Sequence, residues 1–173
     1  MNYKVKKGCH KFWPEKGLGL LKFRKRPKYI MYEVYFPESA MYIHGDNDQF
    51  DWNKGGGFSF DPFTNHKNSF MWAWRFNPST LEFEVTHYVH DGDKIYKGDD
   101  KFLSVSPGKK LVITIDVYEN KYSYWFMSGN NIEINIVEHN NRQRRYAREI
   151  NPWFGGNKKA PSTLSFWMKK YVK

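Results

Sequence analysis

Leu111-Val112-Ile113-Thr114-Ile115-Asp116-Val117, Tyr122-Ser123-Tyr124-Trp125-Phe126 and Ile132-Glu133-Ile134-Asn135-Ile136 follow one another in the chain, and in each the apolar residues recur at every second position. A period of two sends successive side chains to opposite faces of an extended strand. Glu119-Asn120 and Ser128-Gly129-Asn130 separate the runs with turn-forming residues, so the segment reads as a three-stranded β-meander with one apolar face.

The same reading extends upstream. Phe70, Trp72, Trp74 and Phe76 share a face, Asn77-Pro78-Ser79-Thr80 turns the chain, and Leu81, Phe83, Val85, His87 and Val89 alternate after it. Met71 and Ala73 make the second face of the first run apolar as well, which suits a strand covered on both sides and placed near the middle of a sheet. Further strands are expected at 18–23, 29–36, 58–60, 102–105 and 163–168. Residues 140–150 lack an apolar stripe and read as an exposed loop or a short surface helix. So many short strands, with almost no helical period, predict an all-β fold: an antiparallel jelly-roll or concanavalin-like β-sandwich. With 173 residues and no linker or low-complexity tract, the chain is expected to form a single domain over residues 1–173.

Composition narrows the function classes. The 7 Trp, 12 Tyr and 14 Phe supply enough burial to oppose disorder. The start of the chain shows no apolar signal region, and no stretch approaches the roughly 18 apolar residues of a membrane span. Synthesis in the cytoplasm without a signal peptide, and no membrane partner, are the expectations. The one cysteine, Cys9, admits no internal disulfide.

Charge is sorted into three blocks. Residues 1–28 hold ten Lys or Arg against one acid, 29–138 hold nine against sixteen, and 139–173 hold nine against one, giving net charges of +9, −7 and +8. If the first and last strands are neighbours, the two ends form a basic face opposite an acidic body. Its candidate residues are Lys22, Arg24, Lys25, Arg26, Lys28, Arg142, Arg144, Arg145 and Arg148. Guanidinium groups in such a cluster suit phosphate or carboxylate.

Two stretches carry a family likeness. Residues 65–76 with 81–92, and Asn151-Pro152-Trp153-Phe154-Gly155-Gly156-Asn157-Lys158-Lys159-Ala160-Pro161, resemble segments of small, largely uncharacterised concanavalin-A-like jelly-roll proteins of gut bacteria and their tailed phages. The resemblance covers most of the chain and implies the fold more than an activity. Where relatives often carry His-Asp after the Ala-Pro, this chain has Ser162-Thr163, so a site built on that histidine is absent. Gly155-Gly156 and Gly55-Gly56-Gly57 read as places of close backbone approach. The latter lacks the Lys-Ser/Thr of a phosphate loop.

Catalytic patterns fare poorly. Glu82 and Glu84 point from one strand face, as on jelly-roll glycosidases, but the matching later position is Thr86 and nothing in the spacing promises a raised pKa. Asp46, Asp48 and Asp51 offer oxygen ligands for calcium but break the helix-loop-helix pattern, which needs glycine where Asp51 stands. The six histidines make no zinc spacing. No enzyme activity, cofactor or metal is expected.

Three functions remain. The leading expectation is a structural or assembly protein, a phage virion component whose basic face docks on acidic protein, on nucleic acid or on its own copies. The alternative is a carbohydrate-binding module with an aromatic platform drawn from Trp72, Trp74, Arg75, Tyr146 and Trp153. A glycosidase or lyase on the same scaffold comes third.

Overall fold

The computed structural model describes residues 1–14, 22–140 and 143–173. They form β1 (Asn2–Val5), β2 (Trp13–Pro14), β3 (Phe23–Lys25), β4 (Tyr29–Tyr35), β5 (Asn53–Ser59), β6 (Asn68–Asn77), β7 (Glu82–Asp91), β8 (Lys94–Lys97), β9 (Leu103–Val105), β10 (Lys110–Val117), β11 (Lys121–Ser128), β12 (Asn131–Glu138), β13 (Tyr146–Ile150) and β14 (Leu164–Val172), with two short 3-10 turns at Glu38–Ala40 and Asn47–Phe50. The first sheet runs β12-β11-β10-β4-β14-β1-β2. The second runs β3-β13-β5-β6-β7-β8, with β9 also paired to β7. The pairings are antiparallel, and the architecture is an all-β jelly-roll sandwich.

The alternation read in the sequence makes the core. Phe70, Trp72, Trp74 and Phe76 of β6 face the first sheet, where Tyr32, Val34, Ile113, Ile115, Tyr122, Tyr124 and Phe166 meet them in one buried cluster. Phe36 stacks on Phe83, and Phe70 on Tyr122, each with ring centroids 4.5 Å apart. Each fully buried side chain of this size contributes about 1.5–3 kcal/mol relative to exposure. As the two-sided pattern of β6 requires, it lies between β5 and β7, and Met71 and Ala73 on its second face are also buried. Gly55 sits where β5 crosses the Trp72 indole, and a Cβ there would fall 2.2 Å from the ring. The triglycine is a packing device.

Two expectations need correction. The meander β10-β11-β12 forms, but Ile132, Ile134 and Ile136 are exposed, at 58%, 46% and 63%. The tight turn after Ser128 pairs it with Asn131, which sets Ile134 opposite Trp125 on the outer face and Asn135 opposite Tyr124 on the inner one. Register, and not apolar content, decides the face. Residues 146–150 are neither a surface helix nor a loop but β13, a mostly buried strand between β3 and β5. The strand expected over 18–23 falls largely outside the described residues, and β3 begins at Phe23.

Candidate functional site

Strand pairing places the two basic segments side by side. In β3 and β13, Lys25 faces Tyr146, Arg24 faces Ala147 and Phe23 faces Arg148, while the Arg26 amide donates to the Arg145 carbonyl at 2.8 Å. Arg24 is neutralised, its Nε 2.5 Å from Glu149 Oε1, and Lys170 shares that carboxylate. Arg26 Nη1 donates to Gln143 Oε1 at 3.2 Å. Lys22, Lys25, Lys28, Arg144 and Arg145 are exposed. Arg142 lies outside the described residues.

The aromatic platform is corrected by burial. Trp72 and Trp74 are each 0% exposed, because their strand positions face the opposite sheet, and no ligand stacks on them. Arg75 lies on the outer face but is engaged by Glu84 at 2.5 Å, by the Phe50 carbonyl and by the Trp52 ring, 4.2 Å from the guanidinium carbon. Tyr146 and Trp153 remain, 56% and 39% exposed.

Trp153 is held firmly. Its amide and carbonyl exchange 2.8 Å hydrogen bonds with Lys54, and a second bridge joins it to Lys11. One face of its indole rests on His10, with centroids 5.3 Å apart and planes 7° from parallel. That imidazole is fixed by Nδ1 donating to the Phe154 carbonyl at 3.0 Å. Next to this segment Gly155 runs so near Trp52 that a Cβ would fall 2.0 Å from its carbonyl oxygen.

A cavity of about 350 Å³, lined by Lys54, His66, Met71 and His90, adjoins Trp153. Another of about 340 Å³, lined by Lys11, Trp13 and Arg148, adjoins it too, and Asn65, Ile150 and Trp153 border both. The second sheet supplies the floor, since the inward placing of Phe70 and Trp72 turns Ser69 and Met71 outward, opposite His90 and Tyr88. His66 packs edge-on to His90 at 5.4 Å.

Burial depresses the bases here. Lys54 is brought down to about 8, chiefly by desolvation, with Asp51 opposing and Lys97 adding to the fall. His90 falls to about 4 through burial, then through His66 and Lys54. Arg148, 8% exposed, is lowered by burial against the pull of Asp61. Its Nη2 donates to Asn65 Oδ1 at 2.6 Å. Sequence reading missed Lys54, Asn65, His66 and His90 because only the antiparallel pairing of β5, β6 and β7 brings them together.

Elsewhere the candidates are already occupied. Lys158 pairs with Asp46 and lies 3.5 Å from Asp48, so an ammonium group stands beside the carboxylates considered for calcium. Among the described residues no group of three or more His, Cys, Asp or Glu is arranged to hold a metal ion. Glu84 also accepts from Asn77 at 2.8 Å, and Glu82 from Ser106 at 3.3 Å. Another cavity, about 690 Å³, opens between the 97–101 connection and β12. Lys97, Lys101, Asp99 and Asp100 mix signs along it, and no tryptophan lines it.

No protein-family model and no curated protein matches the chain. Among solved structures it is similar to a xylan β-1,4-xylosidase from Bacillus halodurans C-125, with a TM-score of 0.52 and 8% identity over 82% of this chain and 27% of that one. It is also similar to a functionally unknown protein from Saccharomyces cerevisiae, with a TM-score of 0.54 and 7% identity over 99% and 87% of the two chains. Sheep galectin-11, solved with glycerol, aligns with a TM-score of 0.37 and 12% identity over 88% and 96%. The chain spans about a quarter of the xylosidase. At such identities the likeness concerns the fold alone: a β-sandwich of the concanavalin-like kind.

Proposed function

We propose that this protein binds carbohydrate, without catalysing a reaction, on the outer face of its second sheet, with Trp153 as the ring on which a sugar stacks. The observation that carries the reading is a half-open indole, backed by His10 and set between two cavities rimmed by Asn65, His66 and Arg148. The C–H face of a pyranose packs on such a ring while its hydroxyls need amide, imidazole and guanidinium partners. Its non-catalytic part draws support from Glu82 and Glu84, whose carboxylates are committed to neighbouring side chains.

Trp153→Ala tests it. The variant is expected to lose retention on a glycan array at least tenfold while keeping its thermal midpoint, because the exposed indole contributes little to the core. Retention at the wild-type level removes the reading.

A second reading, an assembly role in a phage virion, draws support from the pairing of β3 with β13. That pairing sets Lys25, Arg144 and Arg145 at one sheet edge for an acidic protein or nucleic acid. Sedimentation at low and high salt tests it.

A further inference from the structure

Beyond the two cavities at Trp153 lies a third, about 210 Å³, lined by Phe23, Arg144, Arg145, Tyr146 and Arg148. Arg148 borders both this cavity and the middle one, and Asn65, Ile150 and Trp153 border the middle one and the last. The three therefore follow one another across the outer face from the β3–β13 edge toward β7. Aromatic side chains recur along the way: Phe23 and Tyr146, then Trp13 and Trp153, then His66 and His90.

The cations along this groove differ from three other partly buried cations of the molecule. Arg24, Arg75 and Lys170 each meet a carboxylate. Arg148 is more than nine-tenths buried, its Nη2 meets only the neutral amide oxygen of Asn65, its Nε has no partner, and no carboxylate lies within ion-pair distance among the described residues. Asp61, an acid that acts on it electrostatically, spends Oδ1 on the Phe63 and Thr64 amides. Lys54 is held by the Trp52 carbonyl at 2.8 Å and lies 4.3 Å from the Tyr88 ring centre, two more neutral partners. Glu149 also borders the groove, but Arg24 and Lys170 consume its charge. A buried cation without a counter-charge is costly, and the cost falls when a ligand brings the anion.

We infer that the groove takes an extended chain of acidic sugars, carrying carboxylate or sulfate groups, with Arg148 and Lys54 receiving two of the anions and the rings between them receiving pyranose faces. This rests on the carbohydrate reading and names its ligand class. Arg144 and Arg145, exposed at the β3–β13 end, extend the same complementarity to a further anion.

The test is calorimetric titration with a panel of polyuronate and sulfated oligosaccharides, each beside its methyl-esterified or desulfated counterpart, and with an oligothymidylate. Acidic chains are expected to bind at least tenfold more tightly than their neutral counterparts, with affinity falling as salt rises. Arg148→Gln and Lys54→Met are each expected to bring that ratio down toward one. Lys54→Met replaces a desolvated charge by an apolar chain of similar length, so it still reports if Arg148→Gln folds poorly. Equal affinity for acidic and neutral chains overturns the acidic ligand and leaves the carbohydrate reading standing. Binding of oligothymidylate alone, or of no probe, overturns both.

Discussion

At the residue scale, two histidines show how burial sets chemistry. His87 and His90 are 8% and 6% exposed, and each is held down at about 4. For His87 desolvation is the main cause, with Lys101 adding to it and Asp99 opposing; for His90 desolvation is joined by His66 and Lys54. In the unfolded chain both take up protons near the ordinary value of 6.5, while the folded protein refuses them until about pH 4. Stability is therefore full above pH 6.5 and is lost as pH falls from there toward 4, by about 1.4 kcal/mol per unit for each histidine. Urea midpoints at pH 6.5 and 5.0, a window above the carboxylate range, are expected to show this fall, and His87→Gln to remove about half of it. A flat profile would mean that the imidazoles are hydrated. The tryptophans divide by the same physics. Trp72 and Trp74 alternate with Met71 and Ala73 in a way legible from sequence, whereas the exposure of Trp153 follows from hydrogen bonds to Lys54 that no local pattern announces.

At the element scale, β10 and β12 present similar alternation with opposite outcomes. Ile113 is fully buried and Ile134 is 46% exposed. Ile113→Ala is expected to cost about 2–5 kcal/mol and Ile134→Ala less than about 1 kcal/mol, as measured by chemical denaturation; equal costs would contradict the register of β11 with β12. Period two tells that a strand exists and which residues share a face, but both faces of β12 carry apolar residues somewhere, and the turn geometry chooses between them. β13 was hidden for a different reason. Its inward row is Ala147 and Glu149, and the glutamate is buried only because Arg24 and Lys170, far off in sequence, neutralise it. A strand whose core face holds a paired charge has no apolar stripe to read.

At the scale of the whole molecule, β1 pairs with β14 in one sheet and β3 with β13 in the other, so segments from the two cationic ends of the chain are neighbours twice over. Should the assembly reading hold, self-association or capture of an acidic partner weakens as ionic strength rises from about 0.05 to 0.5 M, because screening shortens the reach of exposed charges. Sedimentation velocity across that range checks it, and a salt-independent monomer without a partner sinks it. The sequence by itself determined the sandwich, its three-stranded meander, the buried tryptophan strand and the packing role of the glycines, since each rests on alternation or on close approach between neighbours in the chain. Only the tertiary structure decided which face of β12 meets water, that residues 146–150 form a strand, and that Trp153, Asn65, Arg148, Lys54 and the 66–90 histidine pair border one groove. Those facts depend on pairings between segments tens of residues apart, and the free energy that selects such pairings is shared across the sheet and is not written in any one segment.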